Sequence, residues 1–319
     1  MANELTPLNN PVALIAGPTA SGKSAVAVAL AKHLAEAGRT GIVINADSAQ
    51  VYADLAVLSA RPTKKEMDGI DHRLFGAWDG KEACSAANWA KAAREEIALC
   101  HEQGAVPILV GGTGLYLKVL LEGIAPIPAI DPEVREIVRA MEAPAAYAAL
   151  QIEDPLRAAE LEPGDSQRIA RALEVKRSTG VTLGDWQLAK SGGIAEQITL
   201  YPLLLLPPRE WVYRRCDARF EAMLEGGALS EVEALLERDL DPDLPVMRAI
   251  GVPEISALLE GEATREEAAA RAAQATRNYA KRQFTWFRRQ TGPDWPRIET
   301  EIELKNIEWD RYFAGLFQT

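Results

Sequence analysis

One stretch near the start of the chain, Gly17-Pro18-Thr19-Ala20-Ser21-Gly22-Lys23-Ser24, constrains everything that can be built around it. Its two glycines lie five positions apart and are followed at once by a lysine and a hydroxyl residue, the phosphate-loop pattern. Glycines let the backbone curl so that successive N–H groups point at one phosphate group. Lys23 adds a point charge, Ser24 a ligand for Mg²⁺, and the helix that follows adds the positive end of its dipole. Val12-Ala13-Leu14-Ile15-Ala16 before the loop is a short apolar run expected to be a buried parallel strand. Ser24 to Ala37 reads as an alanine-rich helix closed by Gly38. Such a loop between strand and helix binds a polyphosphate or a diphosphate, and the rest of the chain decides which.

Strand and helix patterns continue to alternate. Gly41 to Asp47 reads as a second buried strand ending in a polar residue, and Ser85 opens a helix with Trp89, Ala93, Ile97 and Cys100 on one face. Val106 to Val110 is a third apolar strand that stops at Gly111-Gly112-Thr113, with a short helix from about Leu115 to Leu121. Residues 53–84 carry no firm pattern. The alternation predicts an α/β fold, a P-loop NTPase-like parallel sheet flanked by helices.

The texture changes at Gly123. Residues 124–130 are proline-rich, Asp131-Pro132 starts a helix as N-cap and first helical residue, and a further helix from about Ser166 ends at Gly180. No strand pattern returns until residues 198–206. The expected organisation is a core of residues 1–122 and 197–319 with an all-helical insertion domain, residues 123–196. The remainder reads as helices over about Arg209 to Glu225, Ser230 to Arg238 and Pro253 to Leu259. A last long helix begins at Thr264, placed to cap against Glu267, and runs to Thr291.

The chain has 319 residues, enough for a full core, and its 48% hydrophobic and 25% charged content is that of a globular protein. Cys84, Cys100 and Cys216 are widely separated without metal-ligand spacing, which predicts a reduced, cytoplasmic setting. No signal peptide and no apolar run long enough to span a membrane is expected. The net charge of −11 argues on average against a nucleic-acid partner.

Locally the balance reverses. From Ala268 to Pro293 there is no Asp or Glu, yet Arg271, Arg277, Lys281, Arg282, Arg288 and Arg289 fall there among Tyr279, Phe284, Trp286 and Phe287. Basic residues interleaved with aromatics suggest an RNA surface; the competing reading is a core helix with a solvated basic face. Arg215 and Arg219, four apart on one helix, read either as a second diphosphate clamp or as solvated arginines. Arg168 and Arg171 carry the same ambiguity.

The third strand ends in Val110-Gly111-Gly112-Thr113 without the carboxylate that a phosphate-loop ATPase or GTPase places there for Mg²⁺ and the attacking water. The loop therefore reads as built for a group transfer in which diphosphate is held. Asp47, at a strand end beside the loop, is the general-base candidate, although Asp is equally favoured in turns and caps. Gly111-Gly112-Thr113 offers N–H groups and a hydroxyl at the same edge.

At this point the chain is similar to the tRNA dimethylallyltransferases, the isopentenyl-tRNA transferases of bacteria. Gly17 through Ser24 resembles that family's phosphate loop, Asn45-Ala46-Asp47-Ser48-Ala49-Gln50-Val51-Tyr52 its second signature and residues 110–116 its third. Residues 165–174, Arg215 through Met223, and 276–283 also match, so the resemblance runs through nearly the whole chain. It implies transfer of a dimethylallyl group from dimethylallyl diphosphate to N6 of adenosine 37 in tRNA, beside the anticodon. By that likeness Asp47 takes the amine proton. The loop residues Gly17, Pro18, Thr19, Ala20, Ser21, Gly22, Lys23 and Ser24 hold the diphosphate with Thr113, Arg215 and Arg219, and Mg²⁺ sits on Ser24. The tRNA anticodon stem-loop would be met by Asp47, Ser48, Ala49, Gln50 and Thr113, by Gln167, Arg168, Ile169, Ala170 and Arg171 of the insertion, and by the basic pair Arg277 and Lys281. A monomer is expected.

Two segments depart from the family pattern. Asp71-His72-Arg73-Leu74-Phe75-Gly76 stands where many relatives have paired histidines, and residues 252–253 are Val-Pro where a Tyr-Lys-like pair is usual. Both bear on local contacts rather than on the reaction. Rival readings are an isopentenyltransferase acting on free adenine nucleotides, an ATP-dependent small-molecule kinase and a nucleotide-controlled RNA-binding switch. The insertion and the acid-free helix favour tRNA, since a free nucleotide needs neither.

Overall fold

The computed structural model describes residues 10–317. Residues 1–9, read above as lacking a targeting signal, lie outside the described residues. The chain divides into two compact units, Met1–Leu120 with Ile194–Thr319, and Leu121–Gly193.

The first unit is built on a sheet of β1 (Pro11–Ala16), β2 (Gly41–Asn45), β3 (His72–Arg73), β4 (Val106–Gly111), β5 (Thr199–Leu205) and β6 (Arg297–Ile298). The strands are parallel throughout, in the order β3-β2-β4-β1-β5-β6. Every residue of β1, β2 and β4 is buried, as a parallel sheet covered on both faces requires. Register decides where chemistry can occur. Ala16 pairs with Gly111 and Asn45 with Val110, so the loops leaving β1, β2 and β4 emerge side by side. The connection from β1 leads past β4 to β2, while the connection from β4 leads past β1 to β5. A ligand crevice in an open parallel sheet forms at such a reversal, outside the carboxyl ends of the strands.

Around the sheet lie α1 (Lys23–Glu36), α2 (Lys64–Met67), α3 (Ala86–Glu102) and α4 (Gly114–Glu122). The second unit holds α5 (Pro132–Arg139), α6 (Ala143–Glu153), α7 (Pro155–Glu160), α8 (Ser166–Thr179) and α9 (Leu183–Leu188). Back in the first unit follow α10 (Arg209–Glu225), α11 (Ala228–Leu236), α12 (Val252–Leu259), α13 (Arg265–Gln290) and α14 (Trp309–Phe317). The capping residues read from sequence act as expected. The side chains of Ser85 and Asp131 accept N–H groups at the starts of α3 and α5, and Thr264 forms a reciprocal capping box with Glu267.

Strands β3 and β6 and helices α2 and α14 lie outside the sequence expectations, although both helices carry a signal: the Thr63–Glu66 capping box in α2 and the helical spacing of Trp309, Tyr312, Phe313 and Leu316 in α14. The two strands have only two residues each, too few for a periodicity, and exist by pairing at the sheet edges. Helix α14 seats Phe313 and Leu316, both fully buried, and His33 of α1 meets Trp309 and Phe317 with ring centroids at 5.9 and 4.9 Å. Helix α11 starts two residues earlier than expected, because Gly227 takes a left-handed φ of 105° and launches it directly.

The second unit packs Val138, Leu150, Ile169 and Leu173 into a core of its own. Its Glu174, 3% exposed, is held by Arg139 Nε at 3.0 Å, and its two chain ends are joined by an antiparallel bridge between Ile124 and Ser191.

Candidate active site

A cavity of about 1190 Å³ opens at the reversal point of the sheet and takes its lining from the phosphate loop, the Asp47 turn, residues 55–63, α10 and α13. The loop after β1 is shaped by backbone contacts. A Cβ on Gly17 would come within 2.3 Å of the Leu205 carbonyl oxygen, so only glycine fits where the chain leaves the sheet. Ala20 has a left-handed φ of 60°, a costly conformation for a residue with a Cβ, and Arg215 Nε donates to its carbonyl at 2.9 Å. Lys23 Nζ donates to the Pro18 carbonyl at 2.6 Å, which folds the ammonium over the loop. The buried Ser21 hydroxyl has no protein partner.

Several groups lining the cavity titrate away from their ordinary values, Lys23, Arg219 and Cys216 among them. Burial pulls the Lys23 ammonium down to about 8, with the Asp47 carboxylate opposing the shift and the Arg219 guanidinium adding to it. Burial likewise lowers Arg219 and raises the Cys216 thiol to about 11, so Cys216 stays a thiol between two cations. The site concentrates positive charge in a desolvated setting, which suits an anionic ligand that leaves with more charge than it brought.

Asp47 occupies a tight turn. Its N–H donates to Asn45 Oδ1 at 2.9 Å and its Oδ1 accepts the Ala49 N–H at 3.0 Å, so the carboxylate shapes its own turn while the residue lines the cavity. Thr113 Oγ1 accepts the Ser48 N–H at 2.9 Å and donates to the Ser48 hydroxyl at 3.2 Å. Tyr279 of α13 reaches the same hydroxyls, and burial pushes its phenol up to about 12, which keeps it a hydrogen-bond donor at neutral pH.

Of the arginine pair, Arg219 stands beside Lys23 and Asp47. Arg215 is exposed, braces the Ala20 carbonyl and lies over the Trp211 ring at 4.5 Å. Gln50 uses its amide to donate to the Ser59 and Ala60 carbonyls at 3.0 and 3.1 Å, so it organises the cavity wall. Arg277 bonds Asp217 Oδ1 at 2.5 Å, and Lys281 is exposed. In the second unit Gln167 and Arg168 are exposed and Arg168 pairs loosely with Asp165 at 3.2 Å. Arg171 lies 3.7 Å from Glu174 and Ala170 is half-buried, whereas Ile169 is fully buried in that unit's core and presents no side chain.

Burial divides α13 into two faces. Phe284 and Phe287 are fully buried, worth about 1.5–3 kcal/mol each, while Arg271, Lys281, Arg282, Arg288 and Arg289 are exposed. The buried aromatics are therefore core, not stacking platforms for bases. The segment 71–76 is also structural: Arg73 binds Asp71 and Glu96, each at 3.0 Å, beside strand β2.

Sequence reasoning missed Gln283, Arg61 and Glu231. Gln283 had a signal, a lone amide on the buried stripe of Ala280, Phe284 and Phe287. Arg61 lines the cavity from a loop without periodicity. Glu231 shows itself only in three dimensions, accepting the N–H groups of Ala56, Val57 and Leu58 at 2.5, 2.8 and 2.9 Å.

Among the described residues no helix is long and apolar enough to cross a membrane, and no group of three His, Cys, Asp or Glu is placed to hold a metal. The chain is 64% identical over 308 residues to the tRNA dimethylallyltransferase of Erythrobacter litoralis, covering 97% of this chain and 96% of that one. It is 63% identical over 297 residues to that of Sphingopyxis alaskensis, covering 93% and 96%. Among solved structures, the tRNA isopentenylpyrophosphate transferase of Bacillus halodurans superposes with a TM-score of 0.69 at 32% identity, covering 97% of both chains. A eukaryotic dimethylallyltransferase acting on tRNA superposes at 0.78 and 28% identity, covering 96% of this chain and 77% of its own. The family model described as IPP transferase matches residues 50–290, and with these relatives it shows that the chain belongs to the IPP transferase family.

Proposed function

We infer that the protein transfers a dimethylallyl group from dimethylallyl diphosphate to N6 of adenosine 37 in tRNA, with release of diphosphate. The observation that carries this reading is the shared cavity, in which Lys23 and Arg219 of a cationic phosphate site face the Asp47 carboxylate across a strand end that has no water-activating acid. A site made for hydrolysis would need that acid; an alkylation of an amine needs a base and a well-held leaving group. The names of the relatives, which act on tRNA, support the same substrate class.

In this reaction the N6 nitrogen attacks the allylic carbon, the carbon–oxygen bond to diphosphate breaks with its electron pair on oxygen, and the amine proton passes to Asp47. The phosphate-loop N–H groups, Lys23 and Arg219 bind the departing diphosphate. Arg215 acts through the Ala20 carbonyl that it braces. Thr113 and Ser48 fix the turn that carries Asp47. Ser24 and Asp47 both line the cavity, and hard oxygen donors of this kind together with diphosphate oxygens suit Mg²⁺. When bound, the ion would be held by Ser24 and would neutralise charge on the diphosphate. The target base must leave its stack to enter a cavity of this depth. We place the reaction in the cytoplasm and propose that a single chain carries it out.

The test is incubation with labelled dimethylallyl diphosphate, unmodified tRNA and Mg²⁺. Label in tRNA is expected. Label in added AMP would favour a free-nucleotide enzyme, and ATP hydrolysis without label transfer would sink the reading.

A further inference from the structure

Gln283 connects the two loops that the reaction must hold in register. The residue is only 4% exposed. Its Oε1 accepts the N–H of Thr19 in the phosphate loop at 2.7 Å, and its Nε2 donates to the carbonyl of Gly112 in the turn after β4 at 2.9 Å. The fit around this amide is close on both sides. A Cβ on Gly112 would lie 2.3 Å from Gln283 Nε2 and 2.9 Å from the Gly17 carbonyl oxygen, so Gly112 is required for the contact to form.

The chemistry of the two bonds selects an uncharged carboxamide. Glutamate accepts from Thr19 but cannot donate to Gly112, lysine donates but cannot accept, and either would bury a charge. Because Thr19 gives its N–H to Gln283, that donor serves the protein rather than the phosphate. The Gly112 end leads directly into Thr113, whose hydroxyl orders the Asp47 turn. One side chain thus spans from the loop that holds the leaving group to the turn that carries the base.

We propose that Gln283 is a positioning residue that sets the spacing between the diphosphate loop and the Thr113–Asp47 side of the site; this rests on the reading of the reaction given above. Displacement at carbon requires nucleophile, carbon and leaving oxygen in line, and a shift of about 1 Å in such a constellation costs about 10²-fold in rate. Loss of the bridge therefore acts on kcat more than on affinity.

The experiment compares wild type, Q283M and Q283E in transfer to tRNA and in calorimetric binding of inorganic pyrophosphate, using protein with wild-type circular dichroism. Q283M, close in volume but without either hydrogen bond, is expected to lower kcat by about tenfold or more while pyrophosphate affinity stays within about threefold. Q283E is expected to weaken pyrophosphate binding more than Q283M does, because its carboxylate lies against the loop. A Q283M kcat within about threefold of wild type overturns the proposal, since a merely structural amide would change stability alone. Amide exchange of wild-type Thr19 provides a second measurement that needs no variant. Protection is expected, and exchange at the rate of an unstructured peptide contradicts the bridge. A wild-type protein that binds pyrophosphate but modifies no tRNA refutes the reaction, and Thr19 exchange then still decides on the bridge.

Discussion

Thr113 and Ser48 are hydrogen-bonded twice, through the Ser48 N–H at 2.9 Å and the Ser48 hydroxyl at 3.2 Å, which fastens the end of β4 to the turn carrying Asp47. Thr113→Val preserves shape and removes both bonds, leaving the Ser48 N–H without its acceptor. The expected cost is about 1–3 kcal/mol of stability in urea denaturation. Turnover is expected to fall about tenfold while pyrophosphate binding is retained. Unchanged turnover would show that the turn holds Asp47 without Thr113.

Asp47→Asn separates the two roles of that residue. The amide oxygen still accepts the Ala49 N–H, so the turn survives, but no base remains. Turnover is expected to drop by about 10²–10⁴. Pyrophosphate affinity should hold or improve, because a negative charge beside Lys23 has been removed. A loss of only a few-fold would mean that another group takes the proton.

Lys23 makes donor binding depend on pH. Its ammonium titrates at about 8, so the cation is present below that value and lost above it. Pyrophosphate affinity is therefore expected to fall as pH rises through about 8. Lys23→Arg keeps the charge at every pH and should bind without this step. Calorimetry on both proteins separates the lysine from the ligand's own titration: a step present in both belongs to pyrophosphate, and a step absent from the wild type contradicts the assignment.

The parts of the fold set by local rules were legible in the sequence. The buried runs β1, β2 and β4, the caps Ser85, Asp131 and Thr264, and the span of α10 follow from apolar runs, side-chain oxygen acceptors and helical periodicity. What was not legible depends on partners distant in sequence. Strand β6, two residues long, is defined by its pairing with Leu204 and Leu205 at the sheet edge, which no local pattern announces. The site divides in the same way. Its glycines, Lys23 and Asp47 announce themselves by spacing, whereas Gln50 reads as a contact residue and turns out to support residues 59–60, and Glu231 acts across 173–175 positions of chain.

Glu231 gives the wall its own test. One carboxylate on α11 accepts three consecutive N–H groups of residues 56–58, which line the cavity. Glu231→Ala is expected to destabilise the protein by about 2–4 kcal/mol, as half-buried donors lose a charged acceptor. In folded protein the KM for tRNA should rise while pyrophosphate affinity is kept. Equal losses on both substrates would mean that the wall is not specific to the acceptor side.

The most direct measurement of the central claim is nucleoside mapping after reaction. The wild-type protein, dimethylallyl diphosphate and Mg²⁺ are incubated with a tRNA transcript bearing adenosine 37 and with the same transcript carrying guanosine there, and each product is digested and analysed by mass spectrometry. N6-dimethylallyladenosine at position 37 of the first transcript, with none in the second and formation slowed by about 10²–10⁴ in the Asp47→Asn reaction, is the predicted result. Modification that persists without adenosine 37, or that proceeds at the wild-type rate without the Asp47 carboxylate, would contradict it.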